Sequence, residues 1–149
     1  MSEQLGVAAG LVRLSFLVQS VYGEACEEHE LTPPQAQLLC VLRDAPRGMA
    51  ELAQTLRLEK SSVTGLVDRA ERRGLVRRVA SRADRRAVRV ELTPAGETLA
   101  GTFHQAASQR LSATVAGLTQ RDRARLAAIA SDVLEAAQVP AVFADESAG

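Results

Sequence analysis

Apolar residues along this chain follow two different periods, one after the other. Ala50, Leu52, Ala53 and Leu56 recur at the spacing of one buried helix face, and Val63, Leu66, Val67 and Ala70 repeat it on a second helix. Between them Arg57-Leu58-Glu59-Lys60 has the length of an interhelical turn, with Leu58 placed to plug the angle. Gly74 ends the second helix, and from there the period drops to two. Val88, Val90 and Leu92 alternate with Arg89 and Glu91, and Leu75 to Val79 supplies a partner run, so the two pair as a hairpin with one buried face. Helix, turn, helix and hairpin in that order predict a winged helix-turn-helix over residues 31–93. The fold class is mainly α with a small β-hairpin wing, an α+β arrangement.

The flanks are helical and more apolar than one winged helix needs. Leu11, Val12, Leu14, Phe16, Leu17, Val18, Val21 and Tyr22 crowd a first helix within residues 4–30. Leu111, Val115, Leu118, Leu126, Ile129, Val133 and Leu134 stripe two more within 94–139. Helix starts are marked by Thr32-Pro33, by Thr93-Pro94 and by Thr119-x-x-Asp122, which resembles a capping box. Residues 140–149 lack helical period and read as a docked or frayed tail. The 149 residues make one domain, and the apolar flanks are expected to meet a second copy, a homodimer. The competing arrangement is a three-helix core inside one chain.

Turning the second helix by about 100° per residue from Val63 sends Ser61, Gly65, Asp68 and Arg72 outward, with Ser62, Thr64 and Arg69 on the flanks. Hydroxyls at a helix N-terminus, beside free N–H groups and the positive end of the dipole, suit phosphates and base edges. Gly65 keeps that face low. The loop between the strands holds Arg82, Arg85 and Arg86 around one acid, Asp84, and a short carboxylate among arginines can hold a guanidinium in a fixed direction.

Charge changes the picture further. The chain is formally neutral, yet Arg43 to Val90 carries 13 Lys and Arg against 6 Asp and Glu, a net +7, and the remainder carries 5 against 12, a net −7. A neutral whole with one basic region is the footprint expected of a double-stranded DNA binder. A two-fold dimer would set its reading helices one turn apart, roughly 10–10.5 base pairs, so the expected operator is a palindrome. The bland alternative is a solvated basic surface.

These residues carry a resemblance. Leu56 to Thr93, with SSVTGLVDRAERRGLVRRVASRADRRAVRVELTPAG over most of its length, resembles the MarR family of bacterial transcriptional regulators, down to the Asp-x-Arg of the wing and the Leu-Thr-x-x-Gly after it. The order of helices extends the resemblance over roughly the whole chain. It implies that Arg86 enters the minor groove with Asp84 orienting it, and that Ser61, Ser62, Thr64, Gly65 and Arg69 lie at the DNA. Arg57 stands where many members carry Gly, Glu59 where many carry a short capping residue, and Gly65 where many carry a long polar side chain. Such proteins are most often repressors that release DNA when a small, often aromatic or phenolic, ligand fills a crevice between the dimer helices and the winged helix, or when a cysteine is oxidised. Tyr22, His29, Phe103 and Arg13 are crevice candidates by position.

Cys40, inside Leu38-Leu39-Cys40-Val41-Leu42, reads as a small core residue. Cys26 is followed by Glu27, Glu28 and Glu30, acids that raise a thiol pKa, so redox sensing stays a secondary reading. His29 and His104 lack metal-ligand spacing and read as surface or helix-end histidines; no metal and no cofactor are expected. No Gly-x-Ser-x-Gly elbow, P-loop, His-Glu-x-x-His or Cys-x-x-Cys occurs, and no enzyme is expected. Val7 to Tyr22 is apolar, but Glu3 precedes it and Arg13 and Gln19 interrupt it, which points to a cytoplasmic protein with no membrane partner. The rival function is a winged helix kept as a protein-binding surface, for which a wing without cations would be the sign.

Overall fold

Thr32 begins the winged unit with a reciprocal cap. Its hydroxyl accepts from the Gln35 N–H at 3.3 Å, and the Gln35 side chain accepts from the Thr32 N–H at 3.1 Å. The computed structural model describes residues 4–143, and the chain runs α1 (Val7–Glu28), α2 (Pro33–Leu42), β1 (Arg47–Gly48), α3 (Met49–Leu56), α4 (Lys60–Arg72), β2 (Val76–Ala80), β3 (Val88–Leu92), α5 (Pro94–Thr114) and α6 (Gln120–Ala136). The strands form one antiparallel sheet in the order β1-β3-β2, with Val76 opposite Leu92 and Ala80 opposite Val88. β1 is a third strand that the period-two pattern did not predict. Two residues, Arg47 and Gly48, pairing with Val90 and Arg89, are too few to show an alternation.

Leu38, Leu39, Leu52, Val63, Val67, Val76, Val90 and Phe103 are all but fully buried and join the helices to the sheet in one core, with Leu58 packed at its edge. The α4 face is as the spacing predicts: Val63, Leu66, Val67 and Ala70 are buried. Two positions differ. Ala50 is exposed, because α3 presents Met49, Leu52, Ala53 and Leu56 to the core, the same i, i+3, i+4, i+7 spacing started one residue earlier. Val88 is 45% exposed, because β3 runs past the helices into the wing before Val90 and Leu92 reach the core.

The turn between α3 and α4 departs from ease. Arg57 closes α3 with φ 54° and ψ 47°, the left-handed region where glycine fits without strain and another residue costs about 1 kcal/mol. Its N–H still caps the carbonyls of Ala53 and Gln54. Glu59, the N-cap of α4, makes no side-chain cap.

Where α4, β2, β3 and α5 converge, the Leu-Thr-x-x-Gly motif shows its physical reason. The Thr93 N–H donates to the Leu75 carbonyl at 3.0 Å, and its hydroxyl donates to the Gly74 carbonyl at 2.6 Å while accepting from the Gly96 N–H at 3.1 Å. That clasp presses the first turn of α5 onto Leu75. A Cβ on Gly96 would lie 1.9 Å from the Leu75 oxygen, so only glycine fits.

The flanking helices are tied on one side and open on the other. Arg110 of α5 binds Glu24 of α1 at 3.0 Å and also Glu28. Leu11, Val12, Leu14, Phe16, Leu17 and Val18 of α1 face outward, and no residue of α6 is buried, Leu126, Ile129, Val133 and Leu134 included. A three-helix core within one chain is therefore not what these residues build. Among the described residues no helix is long and apolar enough to cross a membrane. After α6 the backbone follows no regular element, and Phe143 docks back on the core; residues 144–149 of the expected tail lie outside the described residues.

Gly96→Ala is expected to lower stability by about 2 kcal/mol or more, because backbone must move to admit the methyl group. Gly117→Ala, where an added Cβ meets nothing within 4 Å, is the control and should shift the urea midpoint little. Equal midpoints for the two variants would refute the clasp.

Candidate nucleic-acid interface

The N-terminal end of α4 leaves Ser61, Ser62 and Thr64 exposed, as the helical rotation requires. The Thr64 hydroxyl donates to the Lys60 carbonyl at 2.9 Å, leaving its lone pairs outward. Gly65 plays a different part from the one read in the sequence. A Cβ there would lie 3.2 Å from a guanidinium nitrogen of Arg69, so the space above Gly65 houses the folded-back Arg69 side chain rather than staying empty. Arg72 leans along the helix, its Nε donating to the Asp68 carbonyl at 3.4 Å.

Asp68 does not face solvent freely. Its carboxylate receives Nη2 of Arg78 from β2 at 2.7 Å, while Nη1 of the same guanidinium binds Glu71 at 3.0 Å. The Arg78 N–H also donates to Glu71, at 3.3 Å. One arginine thus pins the base of the wing to α4 through two acids three residues apart. Sequence reasoning missed Arg78 inside the run Arg77-Arg78. The signal was present: a period of two puts Arg78 on the inward face of Val76, where a cation needs acids. Arg77, on the other face, pairs across the strands with Glu91 at 2.7 Å.

At the wing tip the role of Asp84 is corrected. Its Oδ1 accepts from the backbone N–H of Arg86 at 3.0 Å, and among the described residues no ion pair joins it to Arg82, Arg85 or Arg86. Asp84 therefore shapes the loop, an Asx turn, and does not aim a guanidinium. The Ala87 N–H on the Asp84 carbonyl and the Ser81 N–H on the Ala87 carbonyl close the same loop.

Pairing separates the cations into two sets. Arg47, Arg77, Arg78 and Arg89 are engaged with acids. Lys60, Arg69 and Arg72 of α4 and Arg82, Arg85 and Arg86 of the wing are exposed and, among the described residues, make no ion pair. Six of the unmatched cations thus lie on α4 and on the wing.

The sequence profile of the MarR family matches residues 29–87, from the end of α1 through α4 to the tip of the wing. Over that stretch the chain is similar to the MarR family. It is 34% identical over 101 residues to the HTH-type transcriptional repressor NicR of Pseudomonas putida, covering 67% of this chain and 63% of NicR. The alignments span less than two thirds of the length of the curated relatives, from 48% to 64%. Among solved structures, wild-type MarR of E. coli without ligand superposes with a TM-score of 0.76 at 25% identity, covering 89% of this chain and 99% of that one. BpsR of Bordetella bronchiseptica, whose DNA binding is regulated by 6-hydroxynicotinic acid, superposes with a TM-score of 0.72 at 25% identity, covering 89% and 96%.

Beneath the winged unit lies a crevice of about 760 Å³. α1 contributes Val18, Gln19 and Tyr22, α2 contributes Gln37, Cys40 and Val41, and the end of α3 contributes Thr55, Leu56 and Arg57. Leu111, Val142 and Phe143 close the other side. Of the four crevice candidates only Tyr22 lines it. Phe103 is fully buried behind it, edge-on to Tyr22 at 5.2 Å, and His29 packs edge-on to Phe103 at 5.9 Å. Arg13 is not among the lining residues.

Burial pushes the Tyr22 phenol well above its ordinary value, with the Cys40 thiol adding to the shift. Burial likewise pushes the Cys40 thiol up to about 11, and it raises Cys26. For Cys26 the cause is burial, at 1% exposure, and not the neighbouring glutamates. Both thiols stay protonated near neutrality, the reverse of what a reactive thiolate needs. His104 is not a surface histidine. It is buried in the middle of α5, its Nε2 without a hydrogen-bond partner among the described residues and its ring 4.3 Å from Phe143, whereas Nδ1 of His29 bonds the Ala25 carbonyl at 2.7 Å. Among the described residues no three His, Cys, Asp or Glu are grouped to hold a metal ion.

Two outcomes follow from this geometry. Arg78→Ala is expected to cost less than about 1 kcal/mol, since its pairs are part-exposed, yet to speed amide exchange over residues 80–88 severalfold. Unchanged exchange there would dismiss the pin. Separately, folded and unfolded chains both hold the Cys40 proton below pH 9, and only the unfolded chain releases it as pH climbs towards 11. Stability should fall over that window by up to about 1.4 kcal/mol per pH unit for a fully buried thiol, and Cys40→Val should flatten the slope in urea titrations.

Proposed function

We propose that the protein is a homodimeric, cytoplasmic, sequence-specific regulator of transcription, a repressor that binds palindromic double-stranded DNA and lets go when a small aromatic or phenolic ligand enters the crevice. It acts by binding, without catalysis. The observation that carries this reading is the set of unpaired cations on α4 and the wing. Six exposed positive side chains without acids cost little to leave in water and release counterions when phosphates replace them. Ser61, Ser62, Thr64, Gly65, Arg69 and Arg72 present the helix to the major groove. Arg82, Arg85 and Arg86, on the loop that Asp84 shapes, reach the backbone and the minor groove.

The open apolar faces of α1 and α6 support the dimer, because a second copy would cover them and set two α4 helices one DNA turn apart. Likeness to NicR, named a repressor, and to BpsR, regulated by a hydroxylated aromatic acid, supports the direction of regulation and the ligand class.

The test is selection of bound DNA from a genomic pool at near-physiological salt, with Arg86→Ala in parallel. A palindromic motif should emerge, and the variant should bind it about 5- to 150-fold more weakly, equivalent to about 1–3 kcal/mol, with its dimer unchanged in sedimentation. No enriched motif, or full affinity in the variant, would move the reading to a protein-binding winged helix.

A further inference from the structure

Gly65 is a glycine that the fold itself does not require. It lies in the middle of α4 with helical backbone, where alanine would make a more stable helix. Neither the core nor a neighbouring element crowds it. The three atoms nearest to an added Cβ are Nη1, Cζ and Nη2 of Arg69, at 3.2, 3.9 and 4.0 Å. The guanidinium of Arg69 therefore lies low across Gly65, in the space where a side chain at that position would begin.

Helical side chains lean towards the N-terminus of their helix, and here that lean carries the guanidinium from the flank of α4 to its outermost line. Ser61 and Ser62, both exposed, stand one turn before Gly65 on the same side. Asp68 and Glu71, the acids closest to Arg69 in sequence, are both held by Arg78. Arg69 makes no ion pair among the described residues. When a helix enters the major groove, the side away from its own core faces base edges, and its flanks face phosphates. A long side chain standing upright at position 65 would hold the helix off the groove floor. A guanidinium lying across a glycine lets the backbone approach and still offers two parallel N–H donors.

We propose that Arg69, seated over Gly65, is the specificity-determining residue of α4 and reads one guanine in each half of the operator. Its paired N–H groups match N7 and O6 of guanine, the two acceptors that base shows in the major groove. Gly65 acts only through Arg69, by leaving room for the seat. The proposal deepens the reading given under Proposed function and rests on it for the docking of α4 on DNA.

The test selects bound sequences from a random duplex pool with the parent chain, Arg69→Ala, Arg69→Lys and Gly65→Leu. The parent motif should hold a guanine at one position of each half-site. Arg69→Ala should accept all four bases there, losing about 5- to 150-fold of discrimination, while the other positions and the half-site spacing stay as in the parent. Arg69→Lys keeps the charge without the fork and should lose most of the same discrimination. Gly65→Leu retains Arg69 but fills its seat, so the same position should relax while the Tm is equal to the parent's or higher. In the parent's operator, 7-deazaguanine at that position should weaken the parent about tenfold and leave Arg69→Ala unaffected, the sign of a direct contact.

An unchanged base preference in Arg69→Ala, relaxation at a position that does not hold guanine, or equal response of parent and Arg69→Ala to 7-deazaguanine would each overturn the proposal. Uniform weakening across all sequences, with the salt slope lower by about one, would overturn it by placing the guanidinium on a phosphate. Full guanine preference in Gly65→Leu would overturn the seat. If the parent enriches no motif, the regulator reading falls and this proposal with it; if the parent enriches one that Arg69→Ala shares, only this proposal falls.

Discussion

The close approach of α5 to the Leu75 carbonyl is the contact on which the rest of the structure depends. At that oxygen the end of α4, the start of β2, the end of β3 and the start of α5 meet, held by Thr93 and admitted by the missing side chain of Gly96. It joins the winged unit to the long helices that carry the open apolar faces. Without it the hairpin would hang from its own turn, and α5 would leave the sheet at an angle the core could not set. Main-chain contacts of this kind are stiff, because neither partner has rotamers to relax into.

Arginine serves two opposed purposes in this chain. Where two carboxylates meet one guanidinium, as at Arg78 with Asp68 and Glu71, charge is spent inside the fold to fix a direction. Where acids are withheld, as at Arg82, Arg85 and Arg86, charge is left for a partner. Asp84 looks like an exception in the middle of the wing, yet its carboxylate serves the Arg86 backbone and shapes the loop. Formal neutrality of the whole conceals this division, since the acids in surplus sit elsewhere in the chain.

What could be read from the sequence alone was whatever repeats or is locally capped. Val63, Leu66, Val67 and Ala70 announce α4 by spacing, and Thr32, Thr93 and Thr119 mark three helix starts that the structure places at those residues, each hydroxyl accepting from the N–H three residues on. What escaped depends on partners distant in the chain or on too few residues. β1 has two residues and exists only because β3 offers an edge. Arg78 looks like its neighbour until Asp68 and Glu71 are brought beside it. His104 and Phe103 are buried by elements that no local pattern relates to them, and of the crevice candidates Tyr22 alone faces the space, because the helical phase of α1 is not visible in a stretch that is apolar almost all round. Ala50 and Val88 show the same limit at smaller scale: the period was right, but its starting point and its extent are decided by where the core ends.

The left-handed turn at Arg57 also has an evolutionary meaning. Each arginine codon lies a single base from a glycine codon, and glycine is what this backbone position favours. Drift towards the easier residue is thus always one mutational step away, with no folding barrier to stop it. Such a step would keep the architecture and remove the one Lys or Arg that lines the crevice among the described residues.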